Sequence, residues 1–178
     1  MKDAGYLPNN GFRDQRTALL WLQKYIGGFG GNPDDVTLIG QSAGAVSTAV
    51  HFHSEQPLFK RAMLMAGSTL LMGPAPEAAA EANYQKAINL LELDALGPNE
   101  RVRGLLEMDG QKLRAILLQG GVTPLPVIDG EMCPVGVDFK SVMDGSINLP
   151  AKHWCDSLLV GDCAFDVSAH IKQLIAVF

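Results

Sequence analysis

The sequence predicts an α/β fold in which a few strands of a mostly parallel sheet carry an inserted helical region. Three observations support this. Val36-Thr-Leu-Ile39 and Ala62-Met-Leu-Met65 are short apolar runs bounded by turn residues, and a small-residue helical stretch from Ala43 to about His53 lies between them. Strand, helix and strand with short joins is the pattern of a parallel βαβ unit. From Glu77 to Leu118 three successive helical patterns follow, and Ser157-Leu-Leu-Val160 then returns as another apolar run.

Each element has a local cause. From Asp14, the residues Leu19, Leu20, Leu22, Tyr25 and Ile26 make an apolar stripe at helical spacing. Gly27 to Asp35, reading GGFGGNPDD, stops that helix, because glycine and proline are poor in a helix interior. Val36 to Ile39 is β-branched and flanked by turns, as a buried strand requires. Glu77–Leu93, Glu100–Met108 and Asp109–Leu118 are three successive helices, broken at Leu96-Gly-Pro98 and at Asp109-Gly110. Residues 77–119 therefore read as a helical insertion. Leu125-Pro-Val-Ile128 brings back extended chain before the turn Asp129-Gly130, Ser157 to Val160 ends in Gly161-Asp162, and a last helical stretch starts near Asp166. Val36–Ile39, Ala62–Met65 and Ser157–Val160 all read as interior strands, apolar on both faces.

Composition narrows the function. The 178 residues suit one ordinary domain, and 47% apolar content is enough to bury a real core. The net charge of −5 argues against a nucleic-acid partner, which would require a basic face. No apolar stretch approaches the roughly 18 residues of a membrane span. The opening MKDAGYLPNNGFRD lacks the apolar core of a secretory signal. Cys133, Cys155 and Cys163 are odd in number and show no CxxC spacing, so they read as reduced thiols of a cytoplasmic protein.

The chemistry sits in Gly40-Gln41-Ser42-Ala43-Gly44, a G-x-S-x-G string placed after an apolar strand and before a helix. In that setting it predicts a nucleophile elbow, with the serine hydroxyl thrust above the sheet from a strained turn. Alone, the same string is only a glycine-rich turn. Gly40 and Gly44 are expected because a Cβ at either would clash as the helix packs against the strand. The Ala43 N–H, at the helix N-terminus, is placed to donate to an oxyanion.

Several runs in fixed order resemble the type-B carboxylesterase/cholinesterase family. They are Asn9-x-Gly11-Phe-Arg-Asp14-Gln-Arg16, Trp21-Leu-Gln, Phe29-Gly-Gly-Asn-Pro33, GQSAGA, Pro57-Leu-Phe59-Lys-Arg61-Ala-Met and Ala66-Gly-Ser68. The dense match covers residues 9 to 68, and Pro126-Val-Ile-Asp129-Gly130 and Leu158-Leu-Val-Gly161 extend it thinly. The resemblance implies an α/β-hydrolase fold and hydrolysis of a small-molecule carboxylic ester through an acyl-serine, with no cofactor and no metal. It also implies an acid on the loop after the last strand. Counting from Gly161 selects Asp166, where the family usually carries glutamate, and Asp162 competes as the residue directly beyond the strand. Either aspartate also reads as a helix cap or a solvated carboxylate.

A serine needs a positioned base. His51 and His53 lie on the helix that starts at Ser42, about 13 Å along it, and read as structural histidines near a helix C-terminus. His153 precedes its strand. His170 lies one helical turn from Asp166, whereas acid and base of this architecture sit on separate loops. By resemblance the histidine lies beyond Phe178 and the glycine-rich oxyanion loop before Met1, so the catalytic histidine is not expected in this chain. Gln41 stands where the family usually has glutamate, which removes a charge beside the nucleophile. Ser68 fits a supporting hydrogen bond or a plain turn. Asp14 and Arg16 read as a buried network or a cap, and Met63, Met65 and Met72 as core.

The sequence thus reads as an internal piece of a serine esterase, part of a single α/β-hydrolase domain, with Ser42 as nucleophile, Ala43 as oxyanion donor and Asp166 as acid. The alternative is a truncated, non-catalytic relative serving as a binding or adhesion module.

Overall fold

The computed structural model describes residues 5–70 and 73–163. The chain divides into two compact units, one from Gly11–Gly73 and Gly136–Phe178, the other from Met1–Asn10 and Pro74–Val135. In chain order the elements are α1 (Asn10–Tyr25), β1 (Thr37–Gln41), α2 (Ala43–His51), β2 (Arg61–Met65), α3 (Glu77–Leu90), α4 (Pro98–Glu107), α5 (Gly110–Gln119), α6 (Phe139–Met143) and β3 (Ser157–Gly161).

The sheet unit holds β1, β2 and β3, all parallel, in the order β1-β2-β3. The expected βαβ unit is present, with bounds shifted by a residue or two. Val36 stays outside β1 because its carbonyl turns to accept the N–H groups of Lys60 and Arg61 at 2.8 and 3.2 Å. The first helix begins at Asn10, ahead of the expected Asp14, directly after Asn9 at φ 60°. Asp14 is therefore inside the helix and exposed, which corrects its reading as a cap or a buried network residue. The glycine-rich stop resolves into two 3-10 turns, Ile26–Phe29 and Pro33–Asp35, the second capped by the Asn32 side chain, which accepts the Asp34 N–H at 3.0 Å.

The core of this unit is where α1 and α2 meet the sheet. Leu19, Ala45, Ala49, Leu58, Phe59, Ala62 and Leu64 are buried together. Alanine at 45, 49 and 62 keeps the buried faces of α2 and β2 small, so side-chain bulk does not hold helix and sheet apart. Phe59 stacks edge-on to Trp154 at 5.1 Å, and the Trp154 indole donates to the Ser54 carbonyl at 3.0 Å, which holds the approach to β3. β2 alternates buried and half-buried residues, whereas every residue of β3 is exposed, Val160 by 64%. The interior reading suits β2, but β1 buries only Gly40 and leaves Ile39 exposed, and β3 is bare on both faces.

The second unit is mainly helical. Ile88, Leu91 and Leu93 form its centre, with Tyr84, Leu105, Leu113 and Ile116 packed on them from α3, α4 and α5. The expected extended segment at 125–128 forms no strand and makes only an isolated parallel bridge, Ala75 to Val127. Pro124 and Pro126 remove two backbone donors there. Val127 is held by a side chain instead. Asn9 accepts its N–H at 2.9 Å and donates to its carbonyl at 2.8 Å.

Candidate active site

The register places the carboxyl ends of all three strands in one row. Gln41 lies opposite Met65, and Met65 opposite Gly161. Ser42, Ala66 and Asp162 therefore leave the sheet from the same edge, where open parallel sheets bind ligands. With strands about 4.8 Å apart, the chain after β3 leaves about 10 Å from the chain after β1.

Ser42 occupies the single residue between β1 and α2. Its backbone is at φ 51°, ψ −119°, a conformation that costs a non-glycine residue about 1–3 kcal/mol. The cost is met by backbone bonds on both sides. The Ser42 N–H donates to the Met65 carbonyl at 2.9 Å, and the Ser42 carbonyl accepts from Ala45 and Val46 at 2.9 and 3.1 Å. The side chain is exposed and makes no capping bond to the helix that follows. Ala43 is the first residue of α2, so its N–H is among those without an intrahelical acceptor.

The glycines around the turn do not behave alike. A Cβ on Gly40 would drive into the Gly44 carbonyl and lie 2.7 Å from the Ala45 nitrogen, so strand and helix touch there through backbone. A Cβ on Gly44 would meet nothing within 4 Å, which corrects the expectation of a clash at that residue. The second crowded glycine is Gly67, whose Cβ would run into the Ser42 carbonyl. Sequence reasoning missed it, although Ala66-Gly67 directly follows a strand and Ala66 is itself left-handed at φ 52°.

His51 is the last residue of α2, whereas His53 lies in the turn beyond it, which corrects its placement on the helix; both are structural, but not for the expected reason. His51 is buried, and burial with the nearby Arg16 guanidinium lowers its pKa to about 4. It is held as a neutral ring, so its charge adds nothing at the helix C-terminus. Its Nε2 is 3.2 Å from Gln15 Oε1 and therefore carries the proton, and Phe12 packs edge-on at 6.4 Å. Burial also lowers the His53 pKa, and its Nδ1–H donates to the Asn148 carbonyl at 3.0 Å. His153 ends a 3-10 turn ahead of β3, at the far end of the strand from the Ser42 edge.

Asp162 is exposed immediately beyond β3. Asp166, His170 and Met72 lie outside the described residues. Met63 and Met65 are half-buried in β2. Burial pushes the Cys133 thiol up to about 11 and raises Cys155, so neither is a thiolate near neutral pH. Among the described residues no group of three or more His, Cys, Asp or Glu side chains could hold a metal, and no helix is long and apolar enough to cross a membrane.

The profile of the carboxylesterase family matches residues 2–150. Juvenile hormone esterase of Heliothis virescens is 36% identical over 135 residues, covering 70% of this chain and 23% of that protein. Acylcarnitine hydrolase of Mus musculus is 35% identical over 131 residues, covering 71% of this chain and 22% of its own length. The crystal structure of juvenile hormone esterase from Manduca sexta, with OTFP covalently attached, superposes with a TM-score of 0.63 at 33% identity, over 78% of this chain and 28% of that one. A thermophilic PNB esterase, 22% identical, matches in fold with a TM-score of 0.66 over 89% of this chain and 32% of that one. The chain thus spans about a quarter of its relatives, has the α/β-hydrolase fold in part, and belongs to the carboxylesterase family of ester hydrolases.

Proposed function

We propose that Ser42 is the nucleophile of a carboxylic ester hydrolase working through an acyl-serine intermediate, in the full-length protein that carries this segment. The observation that supports it best is the strained Ser42 backbone between β1 and α2, with the hydroxyl exposed at the carboxyl edge of the sheet. Strain at a non-glycine residue persists where the surroundings over-determine it, and such residues cluster at active sites.

In this reading Ser42 Oγ attacks the ester carbonyl while a histidine from outside this chain takes its proton. The Ala43 N–H donates to the oxygen that gains the negative charge. Collapse expels the alcohol, which receives the proton from the imidazolium. Water then attacks the acyl-serine by the same route and releases the acid. Asp166 orients the histidine, with Asp162 as the competing residue. The span of about 10 Å between the first and third strand ends suits a base standing between serine and acid. None of these steps calls on a metal or an organic cofactor, and the substrate is a small-molecule ester.

The test is hydrolysis of p-nitrophenyl acetate by the full-length protein and its Ser42→Ala variant. Loss on the order of 10⁴-fold or more supports the assignment. Turnover undiminished by Ser42→Ala would remove it. A full-length protein without turnover would favour the non-catalytic reading.

A further inference from the structure

The geometry points to Gly67 as a positioning residue for the reaction: its missing side chain lets the chain leaving β2 press against the Ser42 carbonyl and fix the direction of the serine and of the Ala43 N–H. The inference rests on the assignment of Ser42 as nucleophile. Three observations meet at this spot. The Met65 carbonyl accepts the Ser42 N–H at 2.9 Å, so the end of β2 already holds the turn from one side. Ala66 then swings into the left-handed region at φ 52°, with its N–H anchored to the Gly161 carbonyl at 2.8 Å. That swing delivers Gly67 onto the turn, where a Cβ would strike the Ser42 carbonyl oxygen and lie 3.1 Å from the carbonyl carbon and 3.2 Å from the Ala45 Cβ.

Two of those three neighbours are backbone atoms of Ser42 and cannot rotate away. The Ser42 carbonyl is also the acceptor for Ala45 and Val46, the bonds that start α2. A methyl at position 67 therefore forces backbone to shift, and with Ala66 tied to Gly161 the shift falls on the Ser42 peptide and the first turn of the helix. The serine hydroxyl and the Ala43 N–H move together, while a substrate pocket built elsewhere stays in place. Misplacement by about 1 Å costs on the order of a hundredfold in rate.

The experiment uses the full-length protein with Ser42→Ala, Gly67→Ala, Gly31→Ala, and the double variant Ala45→Gly/Gly67→Ala. Gly31 is the control, because a Cβ there crowds only the Ile26 segment. Ser42→Ala must abolish turnover; if it does not, the nucleophile assignment fails before Gly67 is judged. With that in hand, Gly67→Ala should lower kcat and the rate of fluorophosphonate labelling on the order of a hundredfold, with KM within about twofold. Gly31→Ala should leave both rates near wild type. The double variant relieves the Ala45 contact alone and should stay slow. It also reads the same split if Gly67→Ala by itself yields no folded protein. Wild-type kcat in Gly67→Ala, a change confined to KM, full recovery in the double variant, or loss of folding in both Gly67 variants would each overturn the inference.

Discussion

The carboxyl ends of β1 and β3 make an instructive pair. Both strands are apolar, both pair in parallel with β2, and both end on the same edge of the sheet. At the end of β1 the chain is locked within one residue, with Ser42 strained and bonded on both sides. At the end of β3 it runs out exposed through Gly161 and Asp162. The first end is specified by its immediate neighbours. A residue beyond the second end is assigned only by counting along the chain. Local sequence can define a nucleophile's turn, but not the partners that come to it from elsewhere.

The largest effect that sharpens this contrast lies on the β3 side. In the full-length protein, Asp166→Asn should lower kcat on the order of 10⁴-fold, as removal of the acid does in serine triads. Asp162→Asn should change it far less. Steady-state kinetics of both variants settle the ranking, and the opposite order would move the acid to the residue adjoining the strand.

On the β1 side the two glycines of the motif should part company. Gly40→Ala forces a methyl into the Gly44 carbonyl and should cost about 1–3 kcal/mol of stability, together with most of the turnover. Gly44→Ala has open space around its new methyl and replaces a poor helix former, so its stability should change by less than about 1 kcal/mol. Thermal unfolding of the two variants reads this directly. Equal damage from both would mean that Gly44 is crowded after all.

These residues also show what was legible. The strand–helix–strand frame and the Ser42 turn follow from short-range pattern, and each could be placed to within a residue or two. Gly44 was misjudged because the close approach is made by its carbonyl, so only the facing Gly40 has to lack a side chain. Gly67 was invisible because its neighbour across the contact, Ser42, is distant in sequence. The segment at 125–128 looked like a strand by composition, but two prolines remove backbone donors there and the Asn9 side chain takes the Val127 N–H and carbonyl. α6 and the 3-10 turn at Pro150–His153 are too short for periodicity to announce them.

The smallest effect tests α2 away from the site. His51 has a folded pKa of about 4 against an ordinary 6.5, so the unfolded chain binds its proton more readily. Its contribution to stability is complete above about pH 6.5 and is lost as pH falls towards 4. The loss is at most on the order of 3 kcal/mol. The midpoint of thermal unfolding should therefore drop between pH 6.5 and 4.5 more steeply in the wild type than in His51→Gln. Parallel curves would show that the ring is not held neutral.

That the strained residue between β1 and α2 is the one acylated can be measured directly. The full-length protein is inactivated with a fluorophosphonate probe, digested, and its labelled peptide sequenced by mass spectrometry. One label per active chain is expected, on Ser42, rising in step with the loss of activity. A label on another serine, with Ser42 unmodified in fully inactivated protein, would contradict it.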